Sequence, residues 1–411
     1  MADFGADTDL EAFRKEARDW LEANFPAALK GKAALGNAEV RSNDPDLVKW
    51  RKAMGEKGWG TPTWPKEYGG GGLSVQQSRV LGQEMAKVGA FNPLMFGMGV
   101  TMIGPTIMDY GTEEQKRKHL PPIIKGEVQW CVGYSEPNAG SDAASMRLKG
   151  VRGERDGKTG WILNGQKTWT TSAHFAEWYW LGVRTDPDNK HRGITLMLVP
   201  LDQPGITINK IDTMGGVPMG DERTNEVFID DVFVPDEYVV GEVNSGFQYI
   251  SQALDLERFT MFTYSPIKQR LDVLVDHVRN ETVDGEPLKD DPIVRQRIGQ
   301  LATEAEVARV MGLRVVSESM KADEVPGTPP PTVESSEYKL FATEFSKRLA
   351  DASMDLGAPG TQLRVKTEEA PMEGRAESTY RYTVIDTIGG GSSEIQKNVI
   401  ARRGLGLPKN F

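Results

Sequence analysis

From Leu10 onward, the apolar positions Phe13, Ala17, Leu21 and Phe25 recur at steps of three and four, the period that lays one apolar stripe along a helix. Helical periodicity continues to about residue 125. It is broken at residues 64–72, "WPKEYGGGG", where a proline and a glycine run demand a loop. From Trp130 the texture changes to short β-branched and apolar runs, "WILNGQK", "AEWYWLGVRT", "GITLMLVPL" and "TNEVFIDDVFVP". Turn signals such as "DGKTG", "DPDNKHRG" and "QPG" separate them, predicting an antiparallel β domain that ends near Val240. After "GEVNSGF" the helical period returns and holds to the last residues, interrupted by the proline-rich stretch at 324–336 and the polar stretch at 366–378. The pattern predicts an α+β chain with a helical domain over 1–128, a β domain over 129–240 and a second helical domain over 241–411.

Composition narrows the function classes. The 411 residues suffice for two or three domain-sized units with substantial cores, and 38% hydrophobic with 26% charged residues is globular usage. A net charge of -10 argues against a nucleic-acid binder, which concentrates Lys and Arg against phosphates. With the single cysteine Cys131 the chain forms no internal disulfide and no thiolate metal cluster, and a reducing cytoplasmic setting is expected. His119, His174, His191 and His277 lack metal-ligand spacing, and no run approaches membrane-spanning length. The N-terminal stretch has no basic-then-apolar leader pattern, so a soluble, unexported protein is expected.

Four segments carry candidate chemistry. "IGGGSSEIQ" at 388–396 is a glycine loop ahead of a helix starting at Ser392 or Ser393. It is neither a P-loop nor a dinucleotide fingerprint, and it is either a tight turn or a backbone donor surface. In "LDLERFTMF" at 254–262, Glu257 falls on an apolar stripe with Ile250, Leu254, Met261 and Tyr264. It is either a general base with a raised pKa or a buried, satisfied carboxylate, and Asp255 and Arg258 point off that stripe. "YSEPNAGSD" at 134–142 joins a strand to a polar turn carrying Asn138, Gly140 and Ser141. In "GQKTWTTS" at 165–172, alternation places Trp169 and Thr171 on one face of an extended segment, suited to a flat heterocycle or to a β core.

In order and spacing these segments resemble the acyl-CoA dehydrogenase family from about residue 10 to residue 408. The carriers are "YSEPNAGSD", "NGQKTWTTS", "TNEVFIDDVFVP" and the glycine loop with "SEIQ". The resemblance implies a helical domain, a β barrel and a C-terminal four-helix bundle, with FAD held between the last two and an acyl-CoA substrate. By motif position it implies that Tyr134, Ser135, Gly140, Ser141, Trp169, Thr170 and Thr171 line the cofactor, with Ser392 and Glu394 facing its nucleotide half. It also implies that Ser141, Asp255, Arg258 and the Gly390 N–H hold the acyl-CoA. The family reaction is α,β-dehydrogenation to a trans-2-enoyl-CoA, with electrons passing to electron-transfer flavoprotein from a homotetramer or homodimer. Many members place the catalytic glutamate where this chain has Gly390. A subset resembling isovaleryl- and long-chain-acyl-CoA dehydrogenases places it on the helix after the β domain, and Glu257 matches that position.

One family segment is altered. Where an arginine reaches the FAD pyrophosphate of a neighbouring subunit, this chain has Glu281, with Asp284 at the aromatic position and Arg279 two residues away. Two further readings follow: a non-catalytic partner subunit of a hetero-oligomer, or an acyl-CoA oxidase or flavin monooxygenase on the same scaffold. The methionine- and glycine-rich stretch at 90–105 is expected to line the acyl end of the pocket.

Overall fold

The computed structural model describes residues 8–30, 44–95, 97–214, 224–260, 264–325, 327–357, 360–365 and 367–408, with the side chains of 255–260 and 323–324 outside that description. The chain divides into two compact units, Met1–Ile211 with Met219–Ala253, and Asp212–Pro218 with Leu254–Phe411.

The first unit opens with helices α1 (Thr8–Asn24), α2 (Pro45–Glu56), α3 (Val75–Val88), α4 (Gly104–Tyr110) and α5 (Glu113–Lys125). The stripe read from the sequence is buried as expected: Phe13, Ala17, Leu21 and Phe25 pack with Trp50, Met54 and Trp59. Capping fixes the helix starts. Ser74 with Gln77, and Thr112 with Gln115, form reciprocal capping boxes at α3 and α5. α1 and α3 are further joined by buried Glu84, which accepts from Arg14 (2.9 Å), Arg18 (2.8 Å) and Lys87 (2.6 Å). The hydrogen bond from Arg18, against the opposing effect of burial, holds its carboxyl at a pKa of about 2.

The β domain is one eight-stranded sheet: β1 (Trp130–Gly133), β2 (Lys149–Arg155), β3 (Lys158–Lys167), β4 (Trp178–Arg184), β5 (Ile194–Pro200), β6 (Ile206–Ile211), β7 (Thr224–Pro235) and β8 (Val239–Val240). Its order is β6-β7-β3-β2-β4-β5-β8, with β1 on β4. Most ladders are antiparallel, as the turn signals require. β1 departs from that expectation and runs parallel to β4, Trp130 opposite Trp178 and Gly133 opposite Leu181. The β2–β3 hairpin lies in the crossover between them, and such a non-local pairing leaves no local sequence signal. Cys131, Leu163, Tyr179, Leu181, Met197 and Val227 fill the core.

Helix α6 (Gly246–Thr260) follows the sheet, and the second unit continues with α7 (Tyr264–Asn280), β9 (Thr282–Val283), β10 (Glu286–Pro287), α8 (Pro292–Glu324), α9 (Thr332–Leu356), α10 (Arg375–Asp386) and α11 (Ser393–Val399). The proline-rich break separates α8 from α9, but α9 begins at Thr332, inside that stretch, as α10 begins at Arg375, inside the polar stretch. Leu271, Leu274, Leu301, Ala308, Tyr338, Phe345 and Leu349 form the bundle core. No helix among the described residues is long and apolar enough to cross a membrane.

Candidate active site

Two motif segments of the first unit are tied together at the end of β1. A Cβ at Gly133 would lie 2.4 Å from the Tyr179 ring, so only glycine lets the strand pass. The next residue, Tyr134, is buried. Its hydroxyl accepts from the Trp180 indole N–H at 2.7 Å, so its ring belongs to the core and only its backbone can face a ligand. Ser135 is half-buried, and its carbonyl accepts the Thr168 N–H at 2.9 Å. The chain then turns sharply, Glu136 and Ala139 exchanging backbone bonds at 3.0 Å, and leaves Gly140 and Ser141 exposed. Asp142 holds the far side through Lys190 at 2.7 Å.

Beneath this turn lies a pair that reading the sequence missed. Lys167, fully buried at the end of β3, donates to Glu136 Oε1 (2.8 Å) and to the Tyr134 carbonyl (3.2 Å). The Glu136 carboxylate also accepts the N–H groups of Arg147 (2.6 Å) and Leu148 (2.8 Å). Burial pulls the Lys167 pKa down to about 8 against the attraction of Glu136. A signal was present: Lys167 shares odd-numbered parity with the buried Trp161 and Leu163 of β3.

The segment after Lys167 is not extended, which corrects the alternation reading. Thr168 is bonded to Ser135, and Thr170 donates its N–H to the Asn225 carbonyl at 3.0 Å. Between these anchors Trp169 adopts φ 58°, a left-handed conformation rare for a bulky residue. The residue is 57% exposed. Thr170 instead faces the core, its hydroxyl 2.8 Å from that of Tyr179. Thr171 is half-buried. Trp169 and Thr171 therefore do not share a strand face; Trp169 is presented singly as an aromatic plane held out of the core.

In the second unit the glycine loop spans α10 to α11. Gly390 and Gly391 have φ 64° and 98°, the left-handed region glycine occupies freely. Gln396, fully buried on α11, donates to both their carbonyls at 3.1 Å, and fully buried Lys339 of α9 donates to the Gly391 carbonyl at 2.8 Å. Ser392 caps α11 as expected, its hydroxyl accepting the Ile395 N–H, and Glu394 is exposed on the first turn. The Glu394 carboxyl is held below its ordinary pKa, first by its own backbone N–H and then by Ser392. Asp386, ending α10, is buried 3.7 Å from Arg270, and burial raises its pKa.

Asp255, Glu257 and Arg258 lie on α6, but their side chains are outside the described residues, as is Met261 of the expected stripe. Of that stripe, Ile250 is fully buried and Leu254 half-buried on α6, whereas Tyr264 opens α7. The altered segment after α7 is a tight hairpin. Asp284 and Gly285 take φ 52° and 88°, as a two-residue turn with both central residues left-handed requires. Arg279 stays exposed on the last turn of α7, 3.9 Å from Asp276. Among the described residues no group of three or more His, Cys, Asp or Glu is placed to hold a metal ion.

Three family models cover the chain: the acyl-CoA dehydrogenase N-terminal domain over residues 7–127, the middle domain over 131–232 and the C-terminal domain over 244–405. The chain is 34% identical to acyl-CoA dehydrogenase IpdE1 of Mycolicibacterium smegmatis over 98% of both chains. It is also 34% identical to acyl-CoA dehydrogenase FadE26 of Mycobacterium tuberculosis over 87% of this chain and 86% of the other. Among solved structures it is similar to the ChsE4-ChsE5 complex of Mycobacterium tuberculosis, with TM-score 0.77, 32% identity and 99% coverage of each chain. The Tcur3481-Tcur3483 steroid ACAD gives TM-score 0.77 and 30% identity over 99% of this chain and 100% of the other.

Proposed function

The chain belongs to the acyl-CoA dehydrogenase family, and from that premise we propose that it oxidises a bulky, ring-bearing acyl-CoA at Cα–Cβ with FAD as cofactor and Glu257 as the base. Bound FAD supplies the acceptor for the β-hydrogen. Glu257 takes the α-proton, since the loop position used by many relatives is Gly390 and carries no side chain. The observation that carries the cofactor assignment is Trp169, a large aromatic fixed on left-handed backbone between two anchored peptides and left exposed. Ser135, whose carbonyl accepts the Thr168 N–H, and Thr171, two residues after Trp169, are half-buried, while Tyr134 and Thr170 contribute backbone because their side chains belong to the core. Exposed Gly140 and Ser141 suit the cofactor edge and the pantetheine arm, Asp255 and Arg258 the CoA, and Ser392 and Glu394 the nucleotide half. The glycine loop serves as donor to the thioester oxygen.

The ring-bearing substrate is supported by the steroid ACAD named above. A panel of straight, branched and steroid-bearing acyl-CoA esters tests it by initial rate of flavin reduction. The steroid-bearing esters are expected to be fastest, and a preference for short straight chains would overturn the substrate class.

A hetero-oligomeric assembly is a second reading. It is favoured by Glu281, which stands where the family's pyrophosphate arginine is expected, and by Asp284 in the tight 282–287 hairpin where the aromatic is expected. Both structures named above carry two component names, consistent with an arginine supplied by a companion chain. A homotetramer or homodimer is the alternative, with electron-transfer flavoprotein as electron acceptor in either case. The mass of the purified chain, alone and co-expressed with a companion, separates the two: a flavin-loaded homotetramer formed alone would overturn the hetero-oligomer.

A further inference from the structure

Helix α6, whose second half carries Glu257, is held along its first half from two sides. Its entry is bound to β5: Ser245 bridges Ile194, and the Asn244 N–H donates to the Thr195 hydroxyl at 2.8 Å. Ile250 and Ala253 are buried on the turns that follow. An aromatic pair holds the other side. The buried Tyr249 ring stacks on Tyr110 with centroids 4.1 Å and planes 28° apart, and the Tyr110 hydroxyl donates to Gln252 Oε1. Gly241 makes room for this ring: a Cβ there would stand 2.6 Å from Tyr249 Cε2. The Tyr249 hydroxyl accepts the Glu242 N–H at 3.2 Å.

Tyr110 brings a second part of the site into this contact. It is the last residue of α4, which continues directly from the π-helical turn Gly99–Ile103. Such turns are rare and recur at functional sites. This one falls in the 90–105 stretch expected to line the acyl end of the pocket. Tyr110 is half-buried and Gln252 exposed, so the tie lies at the edge of the packing and is not core filling. α6 is one helix from Gly246 to Thr260, and Glu257 stands about one and a half turns beyond Gln252. A shift of the held turns therefore carries Glu257 with it.

We propose that Tyr110 is a positioning residue: stacked on Tyr249 and bonded to Gln252, it ties the wall of the acyl pocket to the base-bearing helix and so fixes Glu257 relative to the substrate's α-carbon. This inference rests on the assignment of Glu257 as base. Proton abstraction from carbon depends steeply on geometry, and a misplacement of about 1 Å can cost about a hundredfold in rate. The contacts to CoA are many and tolerate a small shift of the helix better than the proton transfer does.

The test is anaerobic reduction of the bound flavin by a saturating steroid-bearing acyl-CoA ester, in wild type, Tyr110→Ala, Tyr110→Phe and Glu257→Gln. The rate constant is read per bound flavin, so a loss of stability alone does not move it. Tyr110→Ala is expected to slow reduction roughly tenfold with the ester Kd within about threefold, a loss in the chemical step rather than in binding. Tyr110→Phe, which keeps the stacked ring, is expected to recover at least half of the wild-type rate. Wild-type reduction by Tyr110→Ala beside slow Glu257→Gln overturns the positioning role and leaves the base assignment standing. A Tyr110→Phe variant as slow as Tyr110→Ala overturns the stacked ring as the tie. Equal rates in wild type and Glu257→Gln overturn the base assignment and this inference with it.

Discussion

Glu136, read in the sequence only as part of a turn motif, is at residue scale the hub of the first-unit site. Its carboxylate gathers Lys167 and two backbone N–H groups in a buried setting. Removing one partner strands the other's charge, so Lys167→Met is expected to cost about 3–5 kcal/mol in denaturant unfolding. The double variant Lys167→Met with Glu136→Leu should lose less than the sum of its singles. Trp169 predicts the reverse pattern. Being 57% exposed, its replacement by alanine should change stability by no more than about 0.5 kcal/mol. It should still weaken FAD binding roughly tenfold, the scale of losing an aromatic stacking surface. Equal FAD affinity in Trp169→Ala by fluorescence titration would remove the main support for the cofactor assignment.

Among the elements, α5 is joined to the sheet through His119, which packs edge-on against Trp130 (5.4 Å) and Trp178 (4.7 Å) between ring centroids. Burial lowers its pKa from 6.5 to about 4. Because the folded pKa lies below the unfolded one, the unfolded chain binds more protons between these values. The neutral histidine's contribution is complete above about pH 6.5 and is lost as pH falls toward 4. His119→Phe should flatten the stability profile across that window, as followed by tryptophan fluorescence. Glu84 acts lower: its pKa falls from 4.5 to about 2, so its contribution is present above pH 4.5 and lost as pH falls through 2.

Element identity was legible where one period governed. The stripe of α1 and the Ser392 cap of α11 needed only local chemistry. The β1–β4 parallel pair and the inward turn of Thr170 were not, because each depends on a partner distant in sequence or on backbone anchored from outside. Buried Lys167 and Lys339 were passed over because a lysine ordinarily reads as a solvated charge.

At the scale of the whole molecule, the three matched domains and the order of motifs agree on an acyl-CoA dehydrogenase, an oxidoreductase of a flavoprotein family. The motif order made this legible from sequence, since several separated segments must coincide. Acyl-group size and assembly were not legible, because both depend on surfaces contributed by several elements or by another chain.

The central claim is that this chain abstracts the α-proton with Glu257. Anaerobic bleaching of the bound flavin by a steroid-bearing acyl-CoA ester, run with wild type and Glu257→Gln side by side, tests it directly. The account predicts rapid bleaching in wild type. In the variant it predicts retained flavin and ester binding, with bleaching slowed by about two orders of magnitude or more. Equal bleaching in both would contradict it and place the base elsewhere.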